Sequence, residues 1–360
     1  MPAKIALIGA GVYGPVLFQA LQQSQKRGKC DVVAFAARTP ETVAKREEEF
    51  GVKGWTDWER MLRDEPIDAV VVATPDHLHR DMAIRAAEMG KHVLVEKPME
   101  VTAAGAEAML AAARSNNTLL QVDMHKRFDP YHRRCRDLVR SGKLGEVQYG
   151  FAWIEEKITM PRDEMVAWAA NTTPGWLVGT HMLDVLLWIT GLKPVRVYAT
   201  GQKGKLTSLG IDTYDSIQLF VELANGGNLT IHTSWVHPEG FEAPINQGLR
   251  LVGSEGVIEI DSQDRGARSC LADEGMATYN TGFWAEREGA DGQPIFSGYA
   301  IESVESFVDN VDYLLGGGSL ADLAGRYPSG EEGLEVTCVL AAAHQALADG
   351  RVQTVEGIPA

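Results

Sequence analysis

Long apolar runs are missing from this chain of 360 residues, and no window approaches the roughly eighteen uninterrupted apolar residues that a membrane-spanning helix needs. Cysteine is scarce. The four present, Cys30, Cys135, Cys270 and Cys338, are scattered without a CxxC pair, so neither a zinc site nor a disulfide framework is expected and the thiols read as reduced and structural. The opening MPAKIALIGAG has no basic n-region, apolar h-region or small-residue cleavage site, from which a cytoplasmic location is expected. Positive charge is in deficit too: 34 Lys and Arg against 49 Asp and Glu leave a formal charge of -15. Such a surface repels nucleic-acid backbones and anionic membranes, so neither is expected as a partner. A smaller anion such as a pyrophosphate needs local backbone N–H groups and a helix N-terminus.

What is present is enough for a large core, with 45% hydrophobic residues, and the length suggests two domains. The first third alternates short strands with helices, the pattern of a parallel sheet covered on both faces. Strands are predicted at Lys4–Ile8, Val32–Ala36, Ala69–Ala73, His92–Val95 and Leu119–Asp123. Helix starts are read at Thr39 before Pro40, at a Thr56/Glu59 capping box and at Thr102. After Met124 the strands lengthen and alternate, as in an antiparallel sheet with one buried face. Ile217, Leu219, Val221 and Leu223 share a face, ANGG around Asn225 turns the chain, and Leu229, Ile231 and Trp235 resume it; GLRLVGSEGVIEID gives a second strand pair. The expected division is a nucleotide-binding domain over 1–124 and a substrate and oligomerisation domain over 125–360, with no Pro/Ser linker or internal repeat between them.

KIALIGAGVYGP contains Gly9, Gly11 and Gly14 as G-x-G-x-x-G after an apolar strand and at the opening of a helix, which is the dinucleotide-binding context. Gly9 would make the tight turn, Gly11 would admit the pyrophosphate and Gly14 would let helix and strand pack closely. Val12 and Tyr13 of this loop, Thr74 and Pro75 after a later strand, and His77 and His79 beyond them are the further residues expected beside the cofactor, with local structural roles favoured for the two histidines. The second strand ends in FAARTP, without the acid that would accept hydrogen bonds from an NAD ribose; Arg38 and Thr39 stand there instead and favour NADP over NAD.

ATPDHLHRDMAIRAAEMGKHVLVEKP, HKRFDPYHRRCRDLVRSGKLGEV and GLEVTCVLAAAHQALADGRVQTV together resemble the Gfo/Idh/MocA family, named for glucose-fructose oxidoreductase, inositol dehydrogenase and a rhizopine-catabolism protein. The resemblance spans nearly the whole chain. It implies an α/β Rossmann domain followed by an α+β domain with a large open, mostly antiparallel sheet, whose outer face forms a homodimer or homotetramer interface. It also implies hydride transfer between nicotinamide and a carbon bearing a sugar or polyol hydroxyl. In EKP, the family places Lys97 beside the nicotinamide and the substrate hydroxyl, with Glu96 orienting Lys97 or its loop and Pro98 following a cis peptide. An oxidised nicotinamide is cationic and favours a neutral amine beside it, which lets Lys97 relay a proton.

The family histidine lies in D-x-x-x-H-x-x-D, and GWLVGTHMLD matches it with His181 and Asp184, while Leu177 replaces the leading aspartate. Residues three apart share a helix face, so Asp184 can orient His181 as general base in oxidation and acid in reduction. Three readings stand at the missing acid: Asp184 suffices, another polar residue substitutes (Asn171, Thr172, Thr173, His125 or Lys126), or the catalysis is altered. The preceding TMPRDEMVAWAANTTPGW is expected to wall the substrate, Trp168 and Trp176 stacking on a sugar ring and Arg162, Asn171 and Thr173 bonding its hydroxyls. No metal is expected. The leading expectation is an NAD(P)-dependent oxidoreductase; redox-assisted glycoside cleavage and a non-catalytic dinucleotide sensor stand as alternatives.

Overall fold

A computed structural model of the chain describes residues 2–263, 268–271, 273, 275–290 and 292–358. It contains two compact units. The first runs through Phe128 and resumes over Gly282–Leu334; the second comprises Asp129–Thr281 and the chain from Glu335 onward.

Six parallel strands make the first unit's sheet: β1 (Ala3–Ile8), β2 (Cys30–Ala36), β3 (Lys53–Trp55), β4 (Ala69–Val72), β5 (His92–Val95) and β6 (Leu120–Val122). Their order is β3-β2-β1-β4-β5-β6. β4 and β6 are buried throughout, because helices cover both faces, and this is why they read as continuous apolar runs. The strand order reverses beside β1, and ligands of open α/β sheets bind at the carboxyl ends of strands at such a switch. Thr39 and Thr102 cap the helices Pro40–Phe50 and Ala103–Ser115 as expected. The third start is displaced by one residue. Asp57, not Thr56, caps the helix Trp58–Asp64, its carboxylate accepting the Arg60 N–H at 2.9 Å; a charged acceptor at a helix N-terminus also answers the helix dipole.

The contact-based grouping differs in two ways from the division at residue 124 read from the sequence. The first unit extends to Phe128, and it takes back Gly282–Leu334. The cause is the amphipathic helix Tyr299–Leu315, whose Ile301, Val304, Phe307, Val308 and Val311 join Leu17, Phe18 and Leu21 in the core beside β1. Burying that stripe is worth about 1.5–3 kcal/mol per large side chain.

The second unit holds β7 (Val147–Lys157), β8 (Pro194–Gln202), β9 (Ser216–Leu223), β10 (Asn228–His237), β11 (Ile245–Gly253) and β12 (Gly256–Asp261), ordered β12-β11-β7-β10-β9-β8 with the short strand Gln353–Thr354 at the β8 edge. β9 and β10 form the expected hairpin and β11 and β12 the second. One pairing departs from the antiparallel pattern: β7 and β10 run parallel. The chain leaves β7 through the helix Thr180–Thr190, which packs on β7 and β10, before returning. Ala152, Ile154, Leu219, Val221, Leu229, Ile231, Leu249 and Leu251 form the buried face. The opposite face carries exposed Tyr149, Tyr198 and Phe220.

Candidate active site

The glycine loop has the geometry its sequence demands. Gly9 has φ of 102°, and a Cβ there would lie 2.4 Å from the Ala73 carbonyl oxygen. A Cβ on Gly14 would lie 2.5 Å from the Gly9 carbonyl oxygen, so only glycine lets the helix Gly14–Lys26 start so close to the turn. Around Gly11, in contrast, nothing lies within 4 Å of where a Cβ would stand. The helix beginning at Gly14 has no side-chain cap and no acid in its first turn. Its first N–H groups and dipole are therefore presented at an open glycine, which fits a pyrophosphate. Val12 is exposed, while Tyr13 is turned inward with its hydroxyl buried.

At the end of β2, Arg38 is exposed and Thr39 accepts the Thr42 N–H at 3.3 Å as helix cap. Sequence reading missed a second arginine here. Arg46 reaches back from the helix Pro40–Phe50, its Nε donating to the Ala10 carbonyl at 3.2 Å and Nη2 to Gly11 at 3.4 Å. On paper Arg46 is one charge among many on a polar helix; only the return of that helix alongside the loop reveals it.

Beyond β4, Thr74 and Pro75 lead into the turn that carries His77 and His79. His77 lies beside the buried Asp76, with Nδ1 3.5 Å from its carboxylate. His79 is buried, with Nδ1 2.9 Å from the Pro98 carbonyl oxygen and Nε2 2.8 Å from that of Thr74. Its ring lies between the Thr74 loop and the segment carrying Lys97, and in the neutral form that burial favours its one N–H donates to one of these carbonyls. The Lys97–Pro98 peptide is cis, as the resemblance implied.

Lys97 is half-buried just past β5. Glu96 is buried beside it, its Oε2 accepting the Lys97 backbone N–H at 3.1 Å. The sequence reading assigned nothing to Asp123, which is fully buried just past β6, beside the Glu96 carboxyl. Burial first, and the Asp123 charge second, push Glu96 well above the usual carboxylate range; burial raises Asp123 as well. The ring of His125 lies among Tyr13, Phe283 and Tyr299, stacked on the last at 5.7 Å between centroids, and Lys126 is buried next to it.

In the second unit, the GWLVGTHMLD stretch is not one continuous α-helix. Gly175–Gly179 forms a π-helical turn, and the α-helix Thr180–Thr190 begins after it. His181 and Asp184 are both buried one turn apart within the α-helix. Leu177 falls in the π turn and packs against the apolar cluster of Ile158, Met165 and Trp235. Trp168 borders the same cluster. Trp176 is buried and stacks on His344 at 4.8 Å, and Thr173 meets His344 Nε2 through its hydroxyl at 2.8 Å. Nδ1 of His344 lies 2.7 Å from the Leu340 carbonyl oxygen, so Nδ1–H donates there and Nε2 accepts from Thr173. Trp176 and Thr173 are thus held together by one histidine of the helix Gly330–Asp349. Arg162 is tied to Asp163 at 2.6 Å and to Glu239, while Asn171 is exposed. Among the described residues no cluster of three or more His, Cys, Asp or Glu could hold a metal ion, and no helix is long and apolar enough to cross a membrane. None of the four cysteines forms a disulfide; Cys30, Cys135 and Cys338 are buried, whereas Cys270 is exposed.

Comparison with known proteins agrees with this geometry. Residues 3–124 match the family described as "Oxidoreductase family, NAD-binding Rossmann fold", and residues 132–259 match "GFO/IDH/MocA C-terminal domain". An inositol 2-dehydrogenase of Rhizobium meliloti (strain 1021) is 27% identical over 73% of this chain and 77% of its own. The D-glucoside 3-dehydrogenase of Escherichia coli (strain K12) is 27% identical over 65% of this chain and 70% of its own. Among solved structures, myo-inositol 2-dehydrogenase from Lactobacillus plantarum superposes with a TM-score of 0.80 at 19% identity, covering 99% of this chain and 100% of that one. The chain is a member of the GFO/IDH/MocA family of NAD-binding oxidoreductases.

Proposed function

We propose that this protein is an NAD(P)-dependent dehydrogenase that moves a hydride between the nicotinamide and a hydroxyl-bearing carbon of a sugar, polyol or derivative, with NADP preferred. The observation that carries the reading is the coexistence in one chain of an open, uncapped glycine loop, the EKP lysine, and a buried His181–Asp184 pair one helical turn apart. The names of the two curated relatives, one an inositol and one a glucoside dehydrogenase, support a ring carrying secondary hydroxyls as substrate.

When bound, the nicotinamide supplies the hydride acceptor or donor. The chain supplies the proton path and the orientation. His181 takes the hydroxyl proton as the carbon is oxidised and returns it in reduction, and Asp184 holds its imidazole in one tautomer. Lys97 hydrogen-bonds the same oxygen and relays the proton. Gly9, Gly11 and Gly14 with the following helix hold the pyrophosphate, and Thr74 and Pro75 border the cofactor. Arg38 meets the 2'-phosphate of NADP, a role for which a guanidinium suits better than an ammonium. Trp168, Asn171, Arg162, His125 and Lys126 are assigned to the substrate. The exposed Tyr149, Tyr198 and Phe220 support association of two or four copies through the outer face of the second sheet.

The test is a screen of the purified protein with NAD and NADP against sugars, polyols and glycosides, read by cofactor absorbance with product analysis alongside. Net reduced cofactor, formed faster with NADP, is the expected result. Glycoside cleavage without net reduction would replace this reading with the redox-assisted hydrolase, and nucleotide binding without turnover would replace it with a sensor.

A further inference from the structure

Two parallel neighbours, β5 and β6, each run straight into an acid. Val95 of β5 pairs with Val122 of β6, so Glu96 and Asp123 leave the sheet in register at the carboxyl ends of adjacent strands. Both carboxyls are buried and each has one oxygen already engaged: Glu96 Oε2 accepts the Lys97 N–H, and Asp123 Oδ1 accepts the Ser303 hydroxyl. The two remaining oxygens, Glu96 Oε1 and Asp123 Oδ2, are buried with no other donor among the described residues. Two ionised carboxylates are acceptors only and cannot bond each other; a bond between them requires one proton. The groups facing the pair are Lys97 beside Glu96, Tyr13 from the glycine loop, and Ser303 from the helix Tyr299–Leu315. Lys97 is the only cation among them.

We propose that Glu96 and Asp123 share a single proton and act as a positioning pair for Lys97, presenting it with one negative charge in place of two. Glu96 carries the proton and donates it to Asp123, whose charge is further held by the Ser303 hydroxyl. The consequence for Lys97 rests on the dehydrogenase reading: the lysine that meets the substrate hydroxyl is backed by one delocalised negative charge in place of two. Tyr13 of the nucleotide loop lies close enough to feel the charge of the same pair.

The pair is tested on the intact protein without reference to turnover. Infrared difference spectra at neutral pH, wild type against Asp123→Asn and against Glu96→Gln, are expected to contain the carbonyl stretch of one protonated carboxyl that is lost in Glu96→Gln and shifted in frequency in Asp123→Asn. Absence of that band in the wild type, its survival in Glu96→Gln, or an unmoved band in Asp123→Asn overturns the shared proton. The effect on Lys97 is read by mass spectrometry of its acylation rate. The double variant Glu96→Gln/Asp123→Asn, which has lost the charge, is expected to be acylated several-fold faster at neutral pH, and each single variant, which keeps one carboxylate, much less so; equal rates in wild type and double variant overturn the positioning role. Circular dichroism and a urea melt of each variant establish that the comparison is made between folded proteins. A wild type that reduces no cofactor with any alcohol overturns the dehydrogenase reading while leaving the infrared band to decide the pair.

Discussion

Gly11 and Gly14 stand in the same loop and respond oppositely to an added methyl group. Gly14→Ala sets a Cβ against the Gly9 carbonyl, which is backbone and cannot swing away; a loss of about 1–3 kcal/mol in urea unfolding is expected. Gly11→Ala meets no protein atom, so its unfolding midpoint should stay within about 0.5 kcal/mol of wild type while dinucleotide affinity, read by fluorescence titration, falls. Unchanged affinity would remove the pyrophosphate from this loop. For the chemistry, His181→Asn and Lys97→Met are each expected to lower kcat by about 10²–10⁴-fold with nucleotide binding retained, and a residue whose replacement leaves turnover intact is not a proton carrier. These residues were readable from the sequence because each sits in a short local motif. Asp123 and Arg46 were not, because their meaning depends on partners distant in sequence: Asp123 needs the register of β6 on β5, and Arg46 needs a helix returning beside the loop before its own strand.

At the scale of elements, five of the six Rossmann strands were legible to within two residues because a doubly covered parallel sheet writes itself as apolar runs between capped helices; β3, three residues long and only partly buried at the sheet edge, was not read. The helix carrying His181 was only partly so. Nothing in GWLVGTHMLD announces that its first half closes a π turn, and that turn places Leu177 in an apolar cluster with Ile158 and Trp235. This gives a physical reading of the departure from the family pattern: the position is half-buried against apolar side chains. Leu177→Asp is therefore expected to cost about 2 kcal/mol or more, since a carboxyl would enter that cluster without a partner, and to leave kcat no higher than wild type. A gain in turnover would instead mean that the acid reaches substrate. The caps make a smaller test. Asp57→Ala should destabilise the protein by about 1 kcal/mol, and Thr56→Ala by much less.

For the whole molecule, pH acts through groups buried in both units. His79, His92 and His344 are held below the ordinary histidine value by burial. Each is neutral when native and binds a proton more readily once unfolded, so the stability they contribute above about pH 6.5 is lost as pH falls below it. The urea midpoint should therefore decline between about pH 7 and pH 5, and His344→Gln should flatten part of that decline. Glu96 has the opposite sign: its raised pKa contributes stability below the ordinary carboxylate value that is lost as pH rises through the native one. Association is tested on the outer sheet face, where Phe220→Glu should shift the mass measured by light scattering toward the single chain; an unchanged mass would place the interface elsewhere.

The nucleotide-binding unit is not a beginning followed by an end, because Ile301, Val304, Phe307 and Val308 complete a core that Leu17 and Phe18 began. During synthesis the earliest strands thus wait, with an apolar face uncovered, until nearly the whole chain has left the ribosome. A fragment stopped at residue 128 should bind hydrophobic dyes and aggregate, and the same fragment mixed with a peptide spanning 282–334 should recover a cooperative melt. In evolutionary terms, the two ends of this chain are bound to each other's history: a nucleotide domain wired in this way cannot be traded between genes as a single continuous block.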